Sequence, residues 1–258
     1  MDKFKPAKKS LGQNFLHDQQ IIQRIVSSIA PKVGDIVIEI GPGRGALTEL
    51  LLESGCNLHL IEFDYALAEY WQERAKDCER LTIHQANVLK VDLNEITSNE
   101  EIKVIGNLPY NISSQILINL LSTKKLLSSI VMLQMEMVER IVAVPNNKTY
   151  GRLSVMLQQH FLCEKLFKVP SGAFNPAPKV DSAILQLTPK HQQTDIENPE
   201  QFAEIVKAAF AQRRKTLRNN LKKILTAEQI QEAGINPSLR AENLTVENFI
   251  ELAKRLRL

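Results

Sequence analysis

The sequence predicts an α/β fold in which a doubly wound, Rossmann-like sheet is followed by a small all-α C-terminal domain. Apolar strand segments alternate with helical segments between residues 35 and 135, and this alternation is typical of a largely parallel sheet. Glycine- or proline-containing turns follow two of the strands, at 41–45 and 107–110. Beyond residue 189 the apolar residues recur with a helical period instead, which indicates a change of architecture.

The first strand, turn and helix are predicted within residues 35–52. Residues 35–40 are mostly apolar and β-branched, the following turn contains Gly41, Gly43 and Gly45, and residues 46–52 favour a helix. Glycine can adopt positive φ and leaves room for a ligand to approach the backbone. The turn is therefore either an ordinary tight connection or a nucleotide-binding loop.

Four further strands and two helices are predicted in the same half of the chain. The strands cover 58–63, 81–84, 103–106 and 129–135, and the helices cover 65–78 and 112–122. Ligands of doubly wound sheets bind at the carboxyl ends of the strands. We therefore expect the polar residues that follow these strands to form one site.

A domain boundary is predicted near residue 190. Residues 191–195 are a polar linker, and residues 202–258 have helical periodicity interrupted by Gly234 and Pro237. Residues 1–190 are expected to form the sheet domain and residues 191–258 the helical domain.

Composition limits the possible locations of the protein. No apolar run is long enough to span a bilayer, and the charged N-terminus has no signal-peptide pattern. The three cysteines are far apart in the sequence and have no metal-binding or redox spacing. These observations predict a cytoplasmic protein with reduced thiols, no membrane association and no metal site. The formal net charge of +3 does not by itself indicate a nucleic-acid partner.

The glycine turn and the acid after the next strand are typical of a cofactor site. Glu62 lies at about the offset at which an acid accepts from ribose hydroxyls in dinucleotide-binding folds. Asn87 follows the third strand, where its amide can hold an adenine edge or simply cap a turn. Both a nicotinamide dinucleotide and another adenosyl cofactor fit this pattern.

The sequence Asn-Leu-Pro-Tyr at 107–110 favours methylation of an aromatic amine over hydride transfer. An amide oxygen of Asn107 and a backbone carbonyl held by Pro109 can accept the two hydrogens of an adenine amine. Tyr110 offers a face for base stacking, which contributes about 1–3 kcal/mol per base. Phe174, in a loop stiffened by two prolines, is either a second aromatic over the base or a plain core residue.

Several motifs taken together resemble a known family. These are Gln13-Asn14-Phe15-Leu16 with the preceding glycine, Glu39-Ile40-Gly41-Pro42-Gly43, Asn107-Leu108-Pro109-Tyr110, the segment from Phe174 to Ser182, and Phe210 with Arg213-Arg214-Lys215. In this order they resemble the bacterial ribosomal RNA small-subunit adenine dimethyltransferases, the KsgA/RsmA family. The resemblance runs from about residue 8 to the C-terminus.

The resemblance implies a methyltransferase that uses S-adenosylmethionine. Its substrate would be N6 of two adjacent adenosines in the 3′-terminal hairpin loop of small-subunit (16S) rRNA, and its partner the immature small subunit. By motif matching, the donor pocket would be lined by Asn14, Leu16, Gly41, Gly43, Gly45, Glu62, Asn87 and Asn107. The target adenine would be held by Asn107, Pro109, Tyr110 and Phe174. The family usually has Asp where this chain has Asn87, so we expect weaker donor binding.

A basic segment at 212–223 is the predicted RNA-binding region. Over these residues a helix with one apolar and one basic face is expected, and no acid interrupts the cations. The cations are Arg213, Arg214, Lys215, Arg218, Lys222 and Lys223. A second basic patch is formed by Lys3, Lys5, Lys8 and Lys9, just before the motif that begins at Gly12.

Two other functions are compatible with the residues alone. One is an adenine methyltransferase that acts on large-subunit rRNA or DNA. The other is a ribosome-assembly factor whose binding, rather than its catalysis, is the cellular role, and this role is compatible with catalysis. A single-stranded loop is the favoured substrate because an adenosine leaves its stack more easily there than in a duplex. A monomer is expected.

Overall fold

A computed structural model describes residues 13–98, 100–190 and 198–256. The patch of lysines before residue 10, Gly12 and the linker expected at 191–195 lie outside these ranges. Within them no helix is long and apolar enough to cross a membrane, and no cluster of three or more His, Cys, Asp or Glu residues has the arrangement of a metal site.

The chain forms two compact units whose bounds differ from the predicted boundary. The first unit comprises Met1–Val138 and Glu164–Pro189, and the second comprises Glu139–Cys163 and Lys190–Leu258. The sequence placed 139–163 with the sheet domain, whereas the structure groups this segment with the C-terminal helices. The reason is aromatic packing within the second unit, where Phe210 lies between Tyr150 and Phe249 with ring-centroid distances of 6.2 and 5.6 Å.

The secondary-structure elements are numbered here in chain order. The strands are β1 (Phe15–Leu16), β2 (Ile36–Ile40), β3 (Asn57–Glu62), β4 (Leu81–Gln85), β5 (Ile102–Asn107), β6 (Leu126–Gln134), β7 (Phe161–Val169), β8 (Phe174–Asn175) and β9 (Ser182–Pro189). The helices are α1 (Gln19–Ile29), α2 (Thr48–Glu53), α3 (Tyr65–Ala75), α4 (Leu93–Ile96), α5 (Ser113–Leu120), α6 (Met135–Ile141), α7 (Arg152–His160), α8 (Pro199–Ala209), α9 (Leu217–Leu221), α10 (Ala227–Glu232) and α11 (Val246–Ala253).

The main sheet has the order β4-β3-β2-β5-β6-β9-β7. Strands β2 to β6 pair in parallel, and β9 pairs antiparallel with β6. The chain runs outward from β2 in one direction to β4 and then returns to place β5 on the other side of β2. This reversal confirms the predicted doubly wound α/β class, and it opens a crevice at the carboxyl ends of β2 and β5.

All five predicted strands are present, but β7 and β9 of the main sheet and the two-residue strands β1 and β8 were missed. The inner strand β2 is buried at Val37, Ile38 and Ile40, which is why it reads as a continuous apolar run. In β9 the residues from Ser182 to Leu185 are buried, so this strand also lacks a clear alternation. Nothing local distinguishes such a run from a buried helix or loop segment, because its pairing partner β6 is distant in the sequence.

The helix predicted over the basic segment was wrong in extent. Helix α8 ends at Ala209, and the short α9 begins only at Leu217. The side-chain amide of Asn220 donates to the backbone oxygens of Ala209 (2.7 Å) and Gln212 (3.0 Å), which stabilises the intervening turn. The predicted apolar side does exist, since Leu217 and Leu221 are fully buried.

Candidate active site

A cleft with a volume of about 280 Å³ lies at the carboxyl ends of β2, β3 and β5 in the first unit. It is lined by nine of the residues that the sequence assigned to the donor and base sites, which the fold brings together from distant segments. These residues are Asn14, Leu16, Gly41, Gly43, Glu62, Asn87, Asn107, Pro109 and Tyr110. Gly45 and Phe174 do not line it.

The glycine loop has the backbone conformation that its composition predicts. Gly41, Gly43 and Gly45 have φ of 68°, 55° and 91°, in the left-handed region. A Cβ atom on Gly45 would lie 2.6 Å from the ring of Trp71. The indole nitrogen of Trp71 donates to the Gly43 oxygen at 3.0 Å. Trp71 therefore packs against the glycine loop and stabilises it. This role could not be predicted from the position of Trp71 in a helical segment.

Glu62 is held in place at the end of β3 by backbone groups. One carboxylate oxygen accepts from the Asp64 N–H at 2.8 Å, and the other accepts from the Gly43 N–H at 3.3 Å. The side chain is only 7% exposed, and this burial raises the pKa of its carboxyl group above the ordinary value. Each oxygen retains a second lone pair, so the group can still accept from two hydroxyls of a diol.

A second buried carboxyl group, Glu39, lies on the cleft wall at the end of β2. It is 2% exposed, and the hydroxyl of the fully buried Thr48 donates to it at 2.7 Å. Burial raises the pKa of Glu39 to about 8, with a smaller contribution from the nearby carboxylate of Glu62. In the sequence, Glu39 is recognisable only as part of the motif Glu39-Ile40-Gly41-Pro42-Gly43. The sequence feature that could have indicated a special role for Glu39 is its position as an acid within an otherwise apolar strand.

Asn87 both lines the cleft and caps a turn, the two roles that the sequence left open. It lines the cleft, and its side-chain oxygen accepts from the Leu89 N–H at 3.0 Å and so caps the short 3₁₀ turn Val88–Lys90. The oxygen that was expected to accept from an adenine amine thus already accepts one hydrogen bond and has a single lone pair left. An aspartate could cap the turn with one oxygen and keep the other for a ligand.

The orientation of Asn107 is set by a contact across the cleft. Its side-chain nitrogen donates to the backbone oxygen of Asn14 at 3.0 Å, although the two residues are 93 positions apart. The side-chain oxygen is then the atom that can accept a hydrogen from a ligand amine. The structure therefore orients Asn107 as an acceptor for such an amine.

Tyr110 is fixed by its hydroxyl group. The Tyr110 hydroxyl and the hydroxyl of the buried Ser182 lie 2.8 Å apart in a hydrogen bond. Burial raises the pKa of the Tyr110 phenol above its ordinary value, so it stays neutral at physiological pH. The arrangement suits a ring that stacks rather than a proton donor. Ser182 was not assigned a role from the sequence, because its link to Tyr110 depends on the missed strand β9.

Phe174 lies in the core rather than on the cleft wall. It is 3% exposed, belongs to the main apolar cluster and lies opposite Leu16 in the small β1–β8 sheet. The core alternative considered for this residue thus describes its position. Through this pairing Phe174 supports the segment that carries Leu16 into the cleft.

In the second unit the six predicted RNA-binding cations are all exposed. Arg213 differs from the others because its guanidinium forms a salt bridge with Glu242 at 3.0 Å and also donates to the backbone oxygen of Lys148. Arg214, Lys215, Arg218, Lys222 and Lys223 form no salt bridge with any described residue. The segment 212–223, which comprises the end of the α8–α9 connection, α9 and the two residues after it and is here called the basic turn, therefore presents cations to solvent.

Comparisons with known proteins show which family the chain resembles. The model of the family "Ribosomal RNA adenine dimethylase" matches residues 4–258. A ribosomal RNA small subunit methyltransferase A from Francisella tularensis subsp. novicida (strain U112) is 50% identical over 255 residues, which are 97% of this chain and 97% of that protein.

Two solved structures have the same fold. A dimethyladenosine transferase from Plasmodium falciparum has a TM-score of 0.80 at 24% identity, with 92% of this chain and 95% of that chain covered. The 23S rRNA methyltransferase ErmE has a TM-score of 0.72 at 25% identity, with 94% and 99% covered. The chain belongs to the ribosomal RNA adenine dimethylase family, whose members are S-adenosylmethionine-dependent rRNA methyltransferases.

Proposed function

We propose that this protein dimethylates N6 of two adjacent adenosines in the 3′-terminal hairpin loop of small-subunit rRNA. The observation that carries the proposal is the hydrogen bond that the Asn107 side-chain nitrogen donates to the Asn14 backbone oxygen, because it leaves the Asn107 oxygen as the acceptor for a ligand in the cleft that Tyr110 also lines. The name of the relative that is 50% identical, a small subunit methyltransferase, supports the choice of rRNA. Two adjacent adenosines are the substrate implied by the motif resemblance.

The residues of the cleft fit S-adenosylmethionine. Glu62 offers two fixed carboxylate oxygens for a ribose diol, and the glycine loop offers open backbone. Asn14, Leu16 and Asn87 complete the donor side, and Gly45 keeps the loop packed on Trp71. When bound there, S-adenosylmethionine supplies an electrophilic methyl group on a positively charged sulfur.

The chain contributes chiefly positioning to the reaction. The Asn107 oxygen accepts one hydrogen of the adenine amine, and a backbone carbonyl near Pro109 accepts the other. These hydrogen bonds direct the nitrogen toward the methyl donor. Tyr110 holds the purine ring by stacking, and Phe174 stabilises the strand that carries Leu16. A strong general base is not required, because methyl transfer leaves the nitrogen as a positively charged, acidic ammonium group, which loses its proton to water.

The exposed cations of the second unit suit binding of the phosphate backbone. Arg214, Lys215, Arg218, Lys222 and Lys223 can neutralise phosphates, with Arg213 as a further contact beyond its bridge to Glu242. The proposed partner is the immature small ribosomal subunit, which a cytoplasmic monomer binds. Because binding and methylation use different residues, a role in subunit assembly can coexist with catalysis.

The proposal is tested by incubating the protein with S-adenosylmethionine and three acceptors: immature small subunits, large subunits and DNA. Mass spectrometry should find two dimethyladenosines near the 3′ end of the small-subunit rRNA. Modification of large-subunit rRNA or DNA instead would reject the proposed substrate. An Asn107→Ala variant that binds small subunits without methylating them would show that binding and catalysis separate.

A further inference from the structure

A short segment at 13–16, here called the strap, forms one wall of the cleft. All four of its residues line the cavity. Its C-terminal half is anchored to β8, where Phe15 lies opposite Asn175 and Leu16 opposite Phe174. The next residue, His17, donates its N–H to the Ala173 oxygen at 3.0 Å. The end of the strap at Leu16 is therefore fixed by backbone pairing.

The other end of the strap is held by a side chain. The side-chain nitrogen of Gln13 donates to a carboxylate oxygen of Asp64 at 3.0 Å. Asp64 is 4% exposed, and its other carboxylate oxygen accepts from the Ala66 N–H at the start of α3. Hydrogen bonds to a carboxylate are generally stronger than those between neutral groups. Gln13 is thus attached to a rigid point of the sheet unit.

Through hydrogen bonds, Gln13 is linked to the groups assigned to both the methyl donor and the target amine. The N–H of Asp64 donates to Glu62, the carboxylate that fits the donor's ribose. Between the two anchored ends, the Asn14 backbone oxygen accepts from Asn107 and so orients the group that fits the target amine. If the bond between Gln13 and Asp64 were lost, the strap would enclose the donor less tightly. The Asn14 backbone oxygen would then no longer hold the Asn107 amide in one orientation.

We propose that Gln13 is a positioning residue that latches the strap to Asp64 and thereby couples enclosure of the methyl donor to the orientation of Asn107. This inference rests on the proposed function, because it takes the ligand of the cleft to be S-adenosylmethionine. In this proposal Gln13 acts through Asp64 on the donor side and through Asn14 on the acceptor side, and not by contact with the reacting atoms.

The test replaces Gln13 with glutamate, which keeps the length of the side chain but places a second carboxylate against Asp64. The control is Gln19→Glu, the same charge change at an exposed position of α1. We expect Gln13→Glu to raise the Kd for S-adenosylmethionine about tenfold through faster dissociation, which corresponds to about 1.4 kcal/mol. At saturating donor, the single-turnover methylation rate should also fall about tenfold. Gln19→Glu should match the wild type in both.

A polarity swap distinguishes the latch from a general loss of stability. In the double variant Gln13→Glu/Asp64→Asn, the new amide nitrogen at position 64 donates to the new carboxylate at position 13, while the amide oxygen still caps α3. Donor affinity and methylation rate should return to within about threefold of the wild type, and the ligand-free melting temperature of the double variant should match that of the wild type. A Gln13→Glu variant that keeps wild-type donor dissociation and turnover would overturn the inference. Failure of the wild-type protein to bind the donor would instead reject the proposed function.

Discussion

The cleft and the basic turn present their functional groups in opposite ways. In the cleft, Glu62, Asn107 and Tyr110 each have a fixed polar partner in another segment of the sheet unit. On the basic turn, five of the six cations are exposed and form no salt bridge with the described residues. Arg213, bound to Glu242, is the exception.

This difference follows from what each region has to recognise. A methyl transfer requires the reacting atoms to lie within a fraction of an ångström of one geometry, so its groups must be held before the ligand arrives. Phosphate contacts set register and add affinity, and long cationic side chains that can adjust are adequate for them. Changes in the cleft should therefore act on turnover, and changes on the turn should act on salt-dependent binding.

The largest effect is expected from Asn107→Ala. Loss of the oriented acceptor should reduce the single-turnover methylation rate by roughly 10²–10³-fold, because the amine is no longer directed at the donor. Affinity for small subunits should stay unchanged, and donor affinity should fall only a few-fold. Asn111→Ala is the matched control, since Asn111 lines the same cleft but is exposed. Equal losses in both variants would contradict a specific role for Asn107.

A smaller loss is expected when the ring of Tyr110 is removed. Tyr110→Ala should lower kcat/KM for the rRNA by about 5–150-fold, which is the equivalent of about 1–3 kcal/mol of lost stacking. Tyr110→Phe keeps the ring and loses only the bond to Ser182, so it should retain most of the activity. Calorimetry with S-adenosylmethionine should give the same Kd for all three proteins. A parallel loss of donor affinity would place Tyr110 in the donor site instead.

The local parts of the cleft could be predicted from the sequence, whereas its long-range supports could not. The glycine loop and Glu62 are recognisable because strand, turn and acid follow one another within about 30 residues. The contacts that fix them join distant segments, as between Asn107 and Asn14 or Tyr110 and Ser182. Only the pairing of strands brings these residues together, so no local pattern indicates the bonds.

The basic turn was less predictable from sequence than the cleft. A run of cations with apolar residues at helical spacing predicted one helix, but Asn220 binds the carbonyls of Ala209 and Gln212 and stabilises a turn. Asparagine side chains compete with the helical hydrogen-bond ladder in this way. Likewise, the salt bridge between Arg213 and Glu242 depends on the fold of the C-terminal helices, so it could not be predicted from the sequence.

Glu39 should make protein stability depend on pH. The folding equilibrium constant is expected to change about tenfold per pH unit. The pKa of Glu39 is raised from 4.5 to about 8, so between these values the native protein holds a proton that the unfolded chain has released. Stability must then fall as the pH rises, by about 1.4 kcal/mol per unit. In Glu39→Gln this contribution is absent, while the amide oxygen can still accept from Thr48. Denaturant unfolding of both proteins at pH 5.5, 6.5 and 7.5 should give a difference that changes in this direction. A difference independent of pH would show that Glu39 is already ionised.

The smallest effect separates Arg213 from its neighbours. Arg214→Gln/Lys215→Gln should reduce the slope of log K for subunit binding against log salt concentration by about 0.7 for each phosphate that is no longer neutralised. Arg213→Gln should change this slope less, since its charge is partly compensated by Glu242, and should instead lower stability by at most about 1 kcal/mol. Binding titrations between about 50 and 200 mM salt, together with thermal melts, measure both quantities. If Arg213→Gln changes the slope as much per charge as the double variant, the salt bridge to Glu242 does not reduce the contribution of Arg213 to RNA binding. All six cations would then contribute equally.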